Sequence, residues 1–247
     1  MGGIMGRKVA LVTGGSRGIG AAIARRLAAD GFDVAITYAA EAGRAAAVTA
    51  EAEALGRRAL AVRARAEDAG EVVAAVERTV ATLGRLDVVV GNAGIAPYGP
   101  LEDVTLEEVD RVLAVHARAS FVLAQAAARH LPEGGRIIMI GSSLAERVPY
   151  PDWTLYAMSK SALVGLTKGL ARDLGSRGIT ANLVHPGSTD TEMNPADGPG
   201  ADEERSYTAL GRYCSPEDIA ATVAHLAGEG GRNITGAAIP VDAGVTT

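Results

Sequence analysis

A tyrosine and a lysine stand four residues apart, at Tyr156 and Lys160. On a helix this spacing places both side chains on one face, about one turn apart. A free phenol ionises near pH ~10, and a neighbouring ammonium favours the phenolate and lowers that pKa. A lowering of about two or three units needs roughly 3–4 kcal/mol of differential stabilisation. The pair therefore indicates proton exchange near neutral pH, although the same spacing also occurs by chance on solvated helices.

A glycine-rich turn follows the first apolar run of the chain. Gly14, Gly18 and Gly20 separate the apolar residues 9–12 from an amphipathic pattern over 21–29. Small residues let the backbone approach an anion, and a helix N-terminus adds free N–H groups and a positive dipole end. The glycine spacing differs from the commoner dinucleotide fingerprint, and a glycine-rich loop alone could be a simple turn. The order strand, turn, helix predicts a phosphate cradle.

Together with further motifs, these features resemble the classical short-chain dehydrogenases/reductases from about residue 8 to residue 245. The motifs are Thr13-Gly14-x-x-x-Gly18-x-Gly20, Gly91-Asn92-Ala93-Gly94, Ser143 thirteen residues before Tyr156, Tyr156-x-x-x-Lys160, Pro186-Gly187 with Thr191 beyond, and Val241-Asp242-Ala243-Gly244. Within the family, the chain looks closest to 3-oxoacyl-carrier-protein reductases and to ketoreductases of secondary metabolism.

The resemblance implies reduction of a ketone by NADPH. Ser143 and Tyr156 would hydrogen-bond the substrate carbonyl, and Tyr156 would give its proton to the oxygen. Lys160 would bind the nicotinamide ribose hydroxyls and lower the pKa of the tyrosine. Ser142 adjoins Ser143, but the family's thirteen-residue spacing selects Ser143.

His116 occupies the position at which the family carries a catalytic asparagine. In the family that residue helps to hold a water that passes protons to the lysine. Imidazole both donates and accepts, and it titrates near neutral pH, so a histidine relay is possible. A structurally packed helix histidine is an equal alternative. The other histidines, at 130, 185 and 225, have no partners at catalytic or metal spacing and are predicted to be structural.

The cofactor is expected to be NADP(H), with NAD(H) possible. NAD-binding relatives usually end the second strand on an acid that binds the ribose 2′-hydroxyl. Here that strand ends on Tyr38 without an acid, although Glu41 is close in sequence. Arg17 offers a positive partner for a 2′-phosphate. Arg65 stands where the family has an adenine-binding aspartate, and it could stack on the adenine or reach the phosphate.

By the same resemblance, the cofactor contacts form one predicted set. Its members are Gly14, Ser16, Arg17, Gly18, Ile19, Gly20, Tyr38, Arg65, Ala66, Asn92, Ala93, Gly94, Tyr156, Lys160, Pro186, Gly187, Thr189 and Thr191. Thr189 and Thr191 are assigned to the nicotinamide end, and Asn92, Ala93 and Gly94 to the adenosine side.

The substrate site is predicted from the few aromatic residues of the chain. Tyr150 and Trp153, together with Ser143 and Tyr156, are the predicted substrate contacts, and Tyr98 and Tyr207 fall in neighbouring segments. The clustering suggests an apolar, aromatic or polyketide-like substrate, with core or oligomer packing as the alternative. The irregular stretch 187–206 is expected to be a substrate lid. A carrier-bound substrate would need a basic patch, for which the candidates are Arg118, Arg129 and Arg147.

Alternating apolar runs and helical patterns predict an α/β fold with one doubly wound, Rossmann-like parallel sheet. Strands are predicted at 9–13, 34–38, 59–63, 87–91, 136–141, 180–185 and 237–241, and long helices at 106–130 and 155–176. The 247 residues fit one domain. Residues 1–6 are interpreted as a loose leader.

Composition limits the class of protein. The net charge of −5 argues against a nucleic-acid surface, and no apolar run reaches a membrane span. A single cysteine, Cys214, excludes an intramolecular disulfide and suits a reducing cytoplasm. The family resemblance adds a homotetramer and no metal.

Two other functions stay open on the sequence. One is an NAD(P)-dependent dehydrogenase that oxidises a secondary alcohol or sugar. The other, kept open by His116 and Arg65, is a weakly catalytic nucleotide-binding regulator.

Overall fold

Seven strands form one parallel sheet in this computed structural model, which describes residues 7–247. The strands are β1 (Val9–Val12), β2 (Asp33–Tyr38), β3 (Ala59–Arg63), β4 (Val88–Gly91), β5 (Arg136–Ile140), β6 (Thr180–Pro186) and β7 (Ala238–Val241). Their spatial order is β3-β2-β1-β4-β5-β6-β7, and every neighbouring pair is parallel. The predicted fold class is confirmed, and each strand ends within one residue of its predicted bounds. The predicted leader at 1–6 lies outside the described residues.

The part of the chain that the structure describes contains eight α-helices, which lie around the sheet. They are α1 (Gly18–Ala29), α2 (Ala42–Ala54), α3 (Ala69–Leu83), α4 (Leu106–Leu113), α5 (Ala119–Ala128), α6 (Thr154–Leu174), α7 (Ala201–Ser206) and α8 (Pro216–Ala227). Side chains of α1, α2 and α8 pack into one apolar cluster, and those of α3, α5 and α6 into a second cluster on the other face. Because both faces are covered, the central strands are uniformly apolar rather than alternating.

The long helix predicted over 106–130 is interrupted. Residues Ala114–Arg118 form a π-helical turn between α4 and α5. A single π turn inserts an extra residue into a helix and is often found at functional sites. It carries His116, which is buried.

The stretch 187–206 is more ordered than a plain loop. Thr191 and Asn194 exchange backbone hydrogen bonds of 3.1 and 3.3 Å, and α7 closes the stretch. The Glu204 carboxylate accepts hydrogen bonds from the Ser188 hydroxyl and the Asn194 amide. These bonds tie both ends of the segment together.

All strand-to-helix connections that concern the site lie at the carboxyl edge of the sheet, where open α/β sheets bind ligands. Within residues 7–247, no helix combines the length and the apolar character needed to cross a bilayer.

Candidate active site

The glycine turn after β1 is built for close backbone packing. A Cβ atom at Gly14 would lie 3.0 Å from Ala93 Cα, and one at Gly20 would overlap the Gly14 carbonyl oxygen. The Asn92 amide holds the turn by donating to the carbonyl oxygens of Thr13 and Gly14 at 2.9 and 3.2 Å. No side chain caps the N-terminus of α1 at Arg17. The free N–H groups and tight backbone form a cradle for a phosphate.

Tyr156 and Lys160 lie on one face of α6, as their spacing predicted. Lys160 Nζ is 5.7 Å from the Tyr156 ring centroid and donates a hydrogen bond of 3.1 Å to the Ile140 carbonyl at the end of β5. A Cβ atom at Gly94 would lie 3.5 Å from Lys160 Nζ and 3.3 Å from His116 Nε2. The lysine and the histidine therefore converge on the backbone that follows β4.

Burial has the largest effect on the pKa of the tyrosine in this structure. Burial raises the pKa of Tyr156, and a hydrogen bond from Ser142 opposes that rise. Burial also lowers the pKa of Lys160 to about 8. Both groups are desolvated, and desolvation disfavours the charged form of each. At neutral pH the phenol therefore holds its proton.

The Ser142 hydroxyl interacts with the Tyr156 phenol, which makes Ser142 a second candidate beside Ser143, the residue that spacing assigns. The Ser142 backbone N–H donates to His185 Nδ1 at 3.0 Å, and its hydroxyl oxygen accepts from the Leu144 N–H at 3.2 Å. These two bonds fix the position of Ser142. Its hydroxyl hydrogen takes part in neither bond and can be donated to the Tyr156 phenol oxygen. Ser143 begins the short 3₁₀ turn Ser143–Ala145 and is buried.

His116 has both ring nitrogens engaged. Nε2 accepts the Ile95 N–H at 3.1 Å, and Nδ1 lies 2.8 Å from Ser159 Oγ. Since Ser159 Oγ gives its own hydrogen to the Tyr156 carbonyl at 2.7 Å, Nδ1 must carry the imidazole hydrogen. Burial, and then the charge of Lys160, lower the pKa of His116 to about 3. The ring is a neutral bridge between the chain after β4 and the catalytic helix, and this favours the structural alternative.

The adenosine side contains a small cavity beneath the chain that follows β3 and β4. Its walls include Thr13, Thr37, Ala64, Ala66, Ala93 and Val115. Arg65 is not in its lining. The Arg65 guanidinium pairs with Glu71 at 2.8 Å and with Asp68 at 3.3 Å, so a contact with adenine or a 2′-phosphate would require those ion pairs to open.

Tyr38 ends β2, and the Arg63 guanidinium donates to the carbonyl of Ala39 just beyond it at 3.3 Å. Arg17 is half-exposed beside the turn. Ser16 and Ile19 lie in the turn and the first residues of α1. A ligand anion at this edge would therefore meet Arg17 together with the Glu192 carboxylate, which lies 3.7 Å from it.

The chain after β6 runs back over the glycine turn. Strand β6 ends on Pro186 and this segment begins with Gly187, whose carbonyl accepts a hydrogen bond of 2.9 Å from the buried Thr189 hydroxyl. A Cβ atom at Gly18 would lie 3.4 Å from Thr191 Cγ2. Of the two threonines predicted to contact the nicotinamide, Thr191 faces the cradle. The hydroxyl hydrogen of Thr189 is already donated to a backbone carbonyl.

Aromatic rings form a continuous wall beside Tyr156. The Trp153 ring meets the Tyr156 ring edge to face at 5.4 Å, and Tyr98 stacks on Trp153 at 5.4 Å and 16°. Tyr150 contacts Trp153 at 6.0 Å and Tyr207 at 5.7 Å. Sequence clustering predicted this proximity. Tyr98 is 74% exposed, so the wall reaches from the half-buried Tyr156 to solvent.

Two of the three arginines suggested for a basic patch, Arg118 and Arg147, lie far apart. Arg118 donates to the Glu67 carbonyl beyond β3, whereas Arg147 donates to the Val245 carbonyl beyond β7. Strands β3 and β7 are the two edges of the sheet. These charges therefore lie at opposite ends of the domain.

Sequence analysis assigned no contact in the site to three residues that hold it, although it predicted a structural role for His185. Ser159 and Ile95 are the partners of His116, and His185 fixes Ser142. Ser159 lies inside the Tyr-x-x-x-Lys stretch, where a helix position facing the histidine could have been inferred from the 3.6-residue period. The other two contacts join distant parts of the chain and left no local signal.

Comparisons with known proteins agree with this geometry. Residues 14–246 match the family described as enoyl-(acyl carrier protein) reductase. A short chain dehydrogenase from Burkholderia cenocepacia, solved in complex with NADP, is 58% identical, covers 97% of this chain and 98% of its own, and superposes with a TM-score of 0.96. A blue fluorescent protein from a metagenomic library, solved with NADPH, is 54% identical over 98% of this chain and 99% of its own, with a TM-score of 0.96. The cyclic-di-GMP-binding biofilm dispersal mediator protein of Escherichia coli K12 is 43% identical over 98% of each chain. The chain belongs to the short-chain dehydrogenase/reductase family of oxidoreductases.

Proposed function

We propose that this protein reduces a ketone to a secondary alcohol with NADPH. The observation that carries the proposal is the placement of Tyr156, whose phenol touches Ser142 and whose ring lies beside the buried Lys160. This group sits at the same sheet edge as a glycine cradle. A nucleotide cofactor in that cradle would bring its reactive ring toward the tyrosine.

The residues present fit an NADP cofactor. The cradle from Gly14 to Gly20 suits the pyrophosphate, and Arg17 suits the 2′-phosphate. No carboxylate follows β2 at residues 39–40, where it would repel a 2′-phosphate by roughly 4 kcal/mol at 4 Å and an effective dielectric of ~20. Two structural relatives hold NADP or NADPH. Thr191 and Lys160 would hold the nicotinamide end.

When bound, NADPH supplies the hydride. The protein orients the ketone and gives it a proton. Tyr156 donates from its hydroxyl to the carbonyl oxygen, and Ser142 donates to the phenol oxygen and stabilises the charge left there. The Lys160 ammonium, held by the Ile140 carbonyl, stabilises the same charge in a dry site. We assign to Ser142 the role expected of Ser143.

The state of the tyrosine favours reduction over the alternative, alcohol oxidation. Reduction needs a protonated phenol, and burial raises the pKa of Tyr156. Oxidation needs the phenolate as a base. At neutral pH the half-buried Tyr156 is therefore in the protonated form that reduction requires.

The aromatic wall supports a substrate class. The rings of Trp153, Tyr150 and Tyr98 offer flat, apolar faces that lead from solvent to Tyr156. Aromatic pairs gain about 0.5–1.5 kcal/mol beyond area burial, so a planar substrate ring would be selected. An aryl or polyketide-like ketone fits this wall. The segment 187–206 would act as the lid, since Tyr207, which follows it directly, contacts Tyr150 of the wall.

The proposal is tested with a panel of aliphatic, aryl and fused-ring ketones, each assayed with NADPH and with NADH. NADPH-dependent loss of 340 nm absorbance, strongest for the aryl ketones, is the expected result. Activity only with secondary alcohols and NAD would favour the dehydrogenase instead.

A nucleotide-binding regulator is the second candidate. The observation in its favour is the similarity to a protein named for cyclic-di-GMP binding. Calorimetric titration with cyclic di-GMP, with and without saturating NADPH, separates the two. Binding of cyclic di-GMP together with inactivity on every ketone would favour the regulator.

Self-association is also proposed. Leu106, Phe121 and Met158 expose 78%, 53% and 49% of their surface on α4, α5 and α6. Large exposed apolar side chains indicate a contact surface, and a homotetramer is the expected assembly. Size-exclusion chromatography with light scattering measures the molar mass of the assembly.

A further inference from the structure

Two arginines and one glutamate meet beside the glycine turn. Arg44 Nη1 lies 2.5 Å from both carboxylate oxygens of Glu192, and Arg17 Nη1 lies 3.7 Å from the same carboxylate. Glu192 follows Thr191 in the segment after β6, whereas Arg17 immediately precedes α1 and Arg44 lies in the first turn of α2. One acid from the predicted lid thus bridges the starts of two helices.

The cluster of Arg17, Arg44 and Glu192 lies beside the expected position of the cofactor ribose. Helix α2 starts just after the end of β2, where the ribose of a bound dinucleotide lies in this fold. No side chain caps the N-terminus of α2 at Glu41; the Ala42 N–H donates to the Ala40 carbonyl at 3.0 Å, and the next N–H groups of the first turn face the helix end. Two guanidinium groups and an uncapped helix end form a site for an anion, and a carboxylate of the chain itself sits on the guanidinium groups.

The ion pairs of the cluster are open to solvent and therefore exchangeable. The side chains of Arg17, Arg44 and Glu192 are 53%, 45% and 55% exposed. Exposed pairs of this kind contribute little to stability. Each guanidinium can therefore leave Glu192 for a doubly charged phosphate, which is a stronger acceptor of charge-assisted hydrogen bonds.

We propose that Arg44 is a second ligand of the NADP 2′-phosphate, and that Glu192 is an internal anion that this phosphate must displace. The inference rests on the proposed NADPH-dependent function. Arg44 adds selectivity for NADP over NAD, because only NADP carries the phosphate. Glu192 lowers the affinity of the free protein for NADP.

Displacement would also free the lid. Glu192 and Thr191 are neighbours, and Thr191 packs on Gly18 of the cradle. Losing the Arg44 and Arg17 partners removes the ion pairs that hold this part of 187–206 against the cofactor site. Linkage is reciprocal: if NADP binding shifts the lid equilibrium toward release by some factor, the protein with a released lid binds NADP more tightly by the same factor.

The experiment measures dissociation constants of NADPH and NADH by fluorescence titration of the purified full chain. The variants are Arg44→Gln and Glu192→Gln. The matched controls are Arg25→Gln and Glu51→Gln, which break an Arg–Glu pair of similar exposure, 47% and 50%, between the same two helices but away from the turn. Competition with 2′,5′-ADP and with 5′-AMP isolates the phosphate.

Arg44→Gln is expected to weaken NADPH and 2′,5′-ADP about tenfold, the effect of one close charge near a protein surface, and to leave NADH and 5′-AMP unchanged. Glu192→Gln is expected to tighten NADPH by about three- to tenfold, with no change for NADH. High ionic strength should shrink both effects. The control pair should match wild type.

The inference is overturned if Glu192→Gln leaves NADPH binding unchanged or weakens it, or if Arg44→Gln affects NADH as much as NADPH. Those results, with wild type still binding NADPH, leave the proposed function intact. Wild type that binds neither nucleotide overturns both.

Discussion

His116 Nδ1 and Ser159 Oγ lie 2.8 Å apart and tie the π-helical turn to the helix that carries Tyr156. The Ser159 hydroxyl donates a hydrogen bond to the Tyr156 carbonyl, and His116 Nε2 accepts one from the Ile95 N–H. The imidazole therefore acts as a neutral spacer with one donor and one acceptor. An asparagine side chain also offers one donor group and one acceptor, and this explains how the two residues can serve at one position.

The first prediction concerns His116→Asn. Turnover should stay within about fivefold of wild type, since the amide can keep both bonds. Acid stability should improve. The pKa of His116 falls from 6.5 to about 3 on folding. Between those values the unfolded chain binds a proton that the native chain does not, so the free energy of unfolding decreases as the pH falls.

Urea unfolding at two pH values measures this effect. Between about pH 7 and pH 5, wild type should lose about 2 kcal/mol more than His116→Asn. His130→Asn removes a histidine that pairs with Glu77 at the surface, and it should keep the wild-type pH dependence. A His116→Asn protein with wild-type acid sensitivity would disprove the neutral bridge.

The second prediction separates two adjacent serines. Ser142→Ala should lower kcat/KM about 100-fold, because it removes the hydroxyl that stabilises the phenolate. Ser143→Ala should stay within about threefold, since no role in proton transfer is assigned to it. Steady-state kinetics on both variants, with NADPH affinity as the folding control, decide the matter. A larger loss in Ser143→Ala would restore the assignment from spacing.

The third prediction concerns Trp153→Ala. Its indole contacts three rings of the aromatic wall, those of Tyr98, Tyr150 and Tyr156. The KM of a fused-ring ketone should rise about tenfold, whereas that of a small aliphatic ketone should change less than about threefold. Equal losses for both ketones would mean that Trp153 positions Tyr156 rather than binding substrate.

The fourth prediction is a pH profile. Burial lowers the pKa of Lys160 to about 8, so the ammonium is lost above that pH. Because burial raises the pKa of Tyr156, the phenol keeps its proton there. For ketone reduction, kcat/KM should therefore be level at neutral pH and fall above about 8. A profile that rises through this range would indicate that the phenolate, and thus oxidation, is the working form.

Much of this structure could be predicted from local pattern. The strands of a buried parallel sheet are short apolar runs, and Gly14 and Gly20 mark a turn that admits no side chain. The pair Tyr156 and Lys160 follows from helical period alone. Local spacing therefore located both the cradle and the proton donor.

Contacts between distant segments were beyond such reasoning. The choice between Ser142 and Ser143 depends on how the chain leaves β5, where His185 fixes the backbone. The pKa of Tyr156 depends on burial, which no spacing reports. Arg65 pairs with acids at the start of α3, and the Arg44 pair with Glu192 joins segments 148 residues apart in the sequence.

The central claim is that Tyr156 supplies the proton to the reduced ketone. It is tested by Tyr156→Phe, measured for both NADPH binding and turnover of the best ketone of the panel. Phenylalanine keeps the ring that packs on Trp153 and removes only the hydroxyl. The account predicts NADPH affinity within about twofold of wild type and kcat lowered at least about 1,000-fold. Near-normal turnover by Tyr156→Phe would contradict it.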